Sequence, residues 1–179
     1  AGLLDHCVPQ GDGPVDVRSV CLIREALTYE HALSDAMFAM QGIGTTAIRR
    51  FGTPAQREAY REPCRKGERI AAFALTEPEV GSDVASMTTT AVREGEHYVI
   101  NGAKTLISNA GLADHYLVTV RTGEAPGVKG LSMFIIDADT PGLEVGAAID
   151  FIAPHPAASL SFRDCRVSAS QPIGPAGQG

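Results

Sequence analysis

The chain has 179 residues, 44% hydrophobic and 20% charged, with a formal net charge of -6 and no tryptophan. That length allows one sizeable core or two small ones, and the composition is that of an ordinary globular protein. The acidic balance, with no run of Lys or Arg, excludes an electrostatic footprint for nucleic acid, and no apolar stretch approaches the ~20 residues of a membrane span.

The opening segment, AGLLDHCVPQ, lacks the basic and apolar regions of a signal peptide, and the chain does not begin with Met. After a loop rich in Gly and Pro (9–14), Asp16 is expected to cap a helix. Val17, Val20, Ile23 and Leu27 make one apolar stripe, and Leu22, Ala26, Tyr29 and Leu33 a second, so burial on more than one face is expected. A further helix is expected from Ala36 to Phe51, ending on Gly52 in the left-handed conformation. Thr53, Pro54 and Gln56 then spell a helix start, and that short helix should end near Gly67.

From Ile70 the texture changes. Short runs (MTTTAV, HYVI, HYLVTV, LSMFII and SLSF) are rich in β-branched and aromatic residues. Turn signals separate them at Glu94-Gly95, Asn101-Gly102, Gly123 to Gly130 and Thr140-Pro141-Gly142, with Asn101-Gly102 the strongest hairpin signal. No helix-length crossover divides the strands, so a largely antiparallel sheet is expected. The fold class is α+β: a partial helical bundle over 1–71, then an antiparallel barrel or sandwich-like domain over 72–179.

Cys7, Cys21, Cys64 and Cys165 are far apart and form no pattern with zinc-ligand spacing, so no metal site is expected. Buried free thiols in a reducing compartment are expected, and the expected location is the cytoplasm. His6, His31, His97, His115 and His155 are scattered and receive no catalytic role; His97 and His115 fall in expected strands as ordinary surface or core residues. No GxGxxG follows a strand, and neither a P-loop nor a GxSxG elbow is present.

What remains is the stretch Phe73-Ala-Leu-Thr-Glu-Pro-Glu-Val-Gly-Ser-Asp83. Glu77-Pro78 forces an extended turn and Gly81-Ser82-Asp83 a second one, where glycine lets backbone approach a ligand. By itself this is equally an ordinary loop between strands, with Asp83 bonding its own backbone. Downstream lie Asn101-Gly-Ala-Lys-Thr-Leu-Ile-Ser-Asn109, Ala113-Asp114, and Leu160-Ser-Phe-Arg-Asp-Cys-Arg-Val167. In order and spacing these segments resemble the acyl-CoA dehydrogenase family, from the first helix to the last residue.

The resemblance implies non-covalent FAD, with Phe73, Leu75 and Thr76 along its pyrimidine edge and Leu106, Ile107 and Ser108 in the second flavin-contacting segment. There Leu106 takes the place of a stacking Trp, and Ser108 that of a Thr whose hydroxyl bonds near flavin N5. Gly81 and Ser82 match the part that meets the pantetheine arm of an acyl thioester, carried by coenzyme A or a carrier protein. The implied reaction is α,β-dehydrogenation of the acyl group. No catalytic residue is assigned: the implied base is a glutamate of a C-terminal helical domain absent from this chain, and Glu77 and Asp83 are given to loop structure. An electron-transfer flavoprotein or similar acceptor, and a homotetramer or dimer, are implied as partners. Alternatives on the same fold are an acyl-CoA oxidase, a flavin monooxygenase, or a non-catalytic subunit. Two further departures from the family pattern are Val80 at a position usually small, expected to crowd Gly81, and Phe151-Ile-Ala-Pro-His-Pro156 in place of a Gly-x-Arg segment, from which no binding residue is carried over.

Overall fold

The computed structural model describes residues 2–11, 13–123, 125–177 and 179; Asp12, inside the expected 9–14 loop, and Glu124, inside the expected 123–130 turn, lie outside the described residues. A four-residue turn of helix, α1 (Leu4–Cys7), precedes α2 (Val17–Glu30). Asp16 caps α2 as expected, its carboxylate accepting from the Arg18 N–H at 3.1 Å. Val20, Ile23 and Leu27 pack on Cys7, Val8 and Phe38. The second stripe is not covered: Leu22 and Tyr29 are 60% and 90% exposed. Among the described residues α2 packs mainly on α1 and the next helix, so it buries one face, and Cys21, expected to be buried, lies exposed while Cys7, Cys64 and Cys165 are buried.

His31, extended at φ -163°, separates α2 from α3 (Ala32–Phe51), which starts four residues earlier than expected. Gly52 does not take the left-handed conformation; its φ is -69°. Glycine is needed there for closeness instead, because a Cβ would run into the Ile48 carbonyl oxygen. The expected capping box is present: the Gln56 N–H donates to the Thr53 hydroxyl at 3.2 Å, and the Thr53 N–H to the Gln56 side chain at 2.9 Å. It opens α4 (Pro54–Gln56), which runs through one π-helical turn (Arg57–Arg61) into α5 (Glu62–Lys66). Gly67, at φ 76°, ends it in the left-handed conformation.

Eight strands follow: β1 (Ala71–Ala74), β2 (Thr90–Glu94), β3 (His97–Ser108), β4 (His115–Arg121), β5 (Leu131–Asp137), β6 (Leu143–Ala148), β7 (Ala157–Ser168) and β8 (Pro172–Ile173). They form one sheet in the order β6-β7-β3-β2-β4-β5-β8, with β1 paired to β4. The sheet is largely antiparallel, as the strand spacing requires. The parallel contacts among the described residues are β1 with β4, where Phe73 faces Leu117, and one pair between β2 and β4. These arise because β1 enters from the helical segment and the two-motif stretch then crosses to β4. Among the described residues the sheet does not close into a barrel.

Asn101-Gly102 makes no hairpin. It lies inside β3, where Gly102 at φ 143° marks a register shift against β7. Glycine is required because a Cβ would sit 2.7 Å from the Thr89 Cα. The β2–β3 reversal falls instead at Gly95, φ 60°. The main core lies on one face of the sheet, with Ile100, Tyr116, Phe134, Leu160 and Phe162 fully buried. On the other face Ile48 of α3 and Tyr60 pack on Leu117 and Ile135. Among the described residues no helix is long and apolar enough to cross a membrane.

Candidate functional site

The site grows from the meeting of β1 with the last third of β3. β1 is held from both sides: the Ala71 N–H donates to the Gln41 side chain of α3 at 2.7 Å, and the Asn109 amide donates to the Ala71 carbonyl at 3.2 Å. Beyond β1, the Thr105 N–H donates to the Thr76 carbonyl at 2.9 Å. That bond brings Thr76 of the first motif beside Thr105, Leu106 and Ser108 of the second.

A buried ion pair fixes the same junction. The Lys104 ammonium donates to the Leu75 carbonyl at 3.0 Å and to the Glu77 carboxylate at 2.9 Å, and neither side chain is more than 2% exposed. Glu77 also accepts from the Thr88 N–H and hydroxyl and from the Thr89 N–H, at 2.7, 2.8 and 2.9 Å. Burial by itself raises its pKa, but these donors and Lys104 outweigh it and hold the carboxyl down at about 2. Burial lowers the Lys104 pKa, and Glu77 offsets part of that. Glu77 is a fixed anion that ties loop to strand, in keeping with its assignment to loop structure. Lys104 lies in the second motif, but its pairing across 27 positions has no signature in local spacing.

Past Lys104, β3 loses register with β7 between Lys104 and Ile107, and Leu106 sits in that bulge at φ 57°. A large apolar side chain at positive φ is uncommon and strained. Leu106 is also 52% exposed, so the bulge turns it out of the sheet. The Ile107 side chain is buried in the main core, which leaves only its backbone to meet a ligand. Phe73, half-buried, packs towards Ile48 and Leu117, so it too offers backbone. Leu75 and Thr76 are half-buried, and the Thr76 hydroxyl has no hydrogen bond among the described residues.

Gly81 and Ser82 lie exposed in the loop after β1. The expected crowding by Val80 does not occur. Its side chain is buried, and its backbone pairs with Glu77 at 2.9 and 3.1 Å, while a Cβ on Gly81 would meet nothing within 4 Å. The Asp83 carboxylate accepts from the Ser86 hydroxyl at 2.5 Å.

Ser108 brings in a residue that sequence reasoning passed over. Its hydroxyl lies 2.7 Å from His155 Nε2. His155 belongs to the segment that departs from the family pattern, and only the β3–β7 register, with Ser108 opposite Ala157, draws the two together. His115, in contrast, is a core residue: fully buried, with its ring 5.1 Å from that of Tyr60. Among the described residues no group of three or more His, Cys, Asp or Glu side chains is placed to hold a metal.

The chain's sequence matches the model of the acyl-CoA dehydrogenase middle domain over residues 72–165. It is 38% identical over 160 residues to the mitochondrial isobutyryl-CoA dehydrogenase of Dictyostelium discoideum, covering 88% of this chain and 38% of that protein. The butyryl-CoA dehydrogenase structure from Megasphaera elsdenii superposes with a TM-score of 0.91 at 32% identity, covering 99% of this chain and 49% of that one. The structure of the FAD complex of PigA superposes with a TM-score of 0.86 at 30% identity, covering 98% of this chain and 50% of that one. The chain thus spans half or less of the length of each of these relatives. With the middle-domain match running from β1 into β7, and both motifs meeting at one junction, the chain belongs to the acyl-CoA dehydrogenase family.

Proposed function

We propose that the whole protein is a flavin-dependent dehydrogenase of an acyl thioester, with FAD held along the junction of β1 and β3. The observation that carries this is the bond from the Thr105 N–H to the Thr76 carbonyl, which sets Thr76, Leu106 and Ser108 side by side. The residues present fit a flavin: a hydroxyl at Thr76 without a partner among the described residues, an exposed Leu106 on a strained bulge, and a Ser108 hydroxyl near by. Bound FAD would supply the acceptor for the hydride leaving the acyl β-carbon. Thr76 would hydrogen-bond the polar edge of the ring beside the backbone of Phe73 and Leu75, and Leu106 would cover one face without aromatic stacking. Ser108, flanked by the Ile107 backbone, would donate towards the position that receives hydride. Ser82, next to the open Gly81, would meet the pantetheine arm.

The α-proton needs a base, and neither motif offers one. Glu77 is buried against Lys104 with its pKa held at about 2, and Asp83 is engaged by Ser86. As the family resemblance implies, a glutamate of a C-terminal helical domain would supply the base. A cytoplasmic location, a tetramer or dimer, and an electron-transfer flavoprotein as acceptor complete the proposal. The test is whether the full-length protein binds FAD and whether an acyl-CoA bleaches it without oxygen. A colourless protein that takes up no added FAD refutes the reading. Peroxide formed in step with turnover moves the protein to the oxidase alternative.

A further inference from the structure

Resting on the flavin reading above, we propose that His155 is the positioning residue for Ser108, setting which way the serine hydroxyl points its proton. The contact is a short one, 2.7 Å from Ser108 Oγ to His155 Nε2, and the imidazole is built into place rather than lying loose. Pro154 and Pro156 flank it, and a proline on each side restricts the backbone of the residue between. The Asn109 N–H, next to Ser108, donates to the Pro156 carbonyl at 2.9 Å and fastens the segment to the end of β3. The Phe151 ring meets the imidazole edge-on, with centroids 5.6 Å apart and planes at 87°.

A serine hydroxyl has one proton and rotates freely, so its partner decides its direction. Beside a flavin N5, Ser108 has two opposite tasks: to donate before hydride arrives and to accept afterwards. A neutral imidazole matches both, because Nε2 presents either an N–H or a lone pair. With Nε2 protonated, His155 donates to Ser108 Oγ and the serine proton turns into the site. With Nε2 unprotonated, His155 accepts that proton and leaves the serine lone pairs facing the site. The exchange moves one proton from Nε2 to bulk water and another from water to Nδ1, so the chain's proton count is unchanged. Water has a route: half-buried His155 lines an open groove of about 580 Å³ with Leu33 and Met37 of α3, where Asp150 is the other ionisable side chain.

The test is the two-electron midpoint potential of the full-length FAD-loaded protein, which needs no knowledge of the acyl substrate. Ser108→Ala and His155→Ala should each lower the equilibrium constant for flavin reduction about tenfold, about 30 mV for two electrons, with FAD still bound stoichiometrically. The double variant should fall no further than either single one. His155→Gln, whose amide offers a donor or an acceptor by flipping, should stay near wild type. His155→Phe, which keeps the packing on Phe151 and removes both nitrogens, should match alanine and serves if His155→Ala does not fold. A wild-type potential in both His155→Ala and His155→Phe, with Ser108→Ala lowered, overturns this inference and leaves the flavin reading standing. Additive shifts in the double variant also overturn it, since the two residues would then act separately. A full-length protein that binds no FAD, or a Ser108→Ala variant with bound FAD at the wild-type potential, overturns the assigned role of Ser108 and this inference with it.

Discussion

Glu77 and Lys104 stand in different motifs, and their pairing makes two short sequence patterns into one site. Removing one partner of a buried ion pair leaves the other charge without compensation. Lys104→Met should therefore lower unfolding stability by about 3–5 kcal/mol in urea titration. Adding Glu77→Gln should recover much of the loss, since a neutral amide needs no counter-charge; if the double variant is no more stable than Lys104→Met, the pair is not the reason. The carboxyl has a pH consequence as well. Its folded pKa, about 2, lies below its ordinary value of 4.5, so its contribution is complete above about 4.5 and is lost as pH falls from there towards 2. Sequence pattern pointed to Thr76, Leu106 and Ser108 because each occupies a matched motif position. It missed His155 because its partner is 47 residues away and reached only through strand register.

The elements carry their own test in two glycines. Gly102, at φ 143°, sits against Thr89, where a Cβ would come within 2.6 Å of the hydroxyl. Gly102→Ala should cost about 1–3 kcal/mol by forcing backbone apart at the register shift. Gly81 has open space and no positive φ, so Gly81→Ala should change stability by no more than about 0.5 kcal/mol. Parallel urea titrations check both, and equal costs would contradict this account of β3. The helix starts at Asp16 and Thr53 were legible because a cap is local chemistry, a side chain bonding an N–H two or three residues on. The Asn-Gly signal misled because the same pair that favours a tight turn also suits a glycine pressed against a neighbouring strand. β6 carries a weak sequence signal because it is short, holds a glycine and two alanines, and has mostly exposed residues.

Across the whole molecule, helices and sheet are joined around Tyr60, Arg69, His115 and Asp137. The Tyr60 hydroxyl donates to Asp137 at 3.0 Å, the Arg69 guanidinium donates to the same carboxylate at 2.7 Å and lies over the Tyr60 ring, and His115 packs on that ring. Burial first, then the nearby Arg69 charge, pushes the His115 pKa down to about 4, with Asp137 and Asp114 pulling the other way. The folded chain thus refuses a proton that the unfolded chain accepts at its ordinary 6.5. Stability is full above about 6.5 and falls as pH drops towards 4, by about 3 kcal/mol for this group. His115→Phe should flatten the stability profile between those limits, and a slope unchanged in denaturant titrations across that range would refute the assignment. What the sequence determined by itself was local or patterned: helix caps, the change from helix to strand near Ile70, and two motifs in family order. Only the tertiary structure decided which strands pair in parallel, that Val80 turns inward, that Ile107 faces the core, and that Ser108 meets His155. Each of these depends on register between segments far apart in the chain, and shifting a strand by one residue would turn every side chain to the other face.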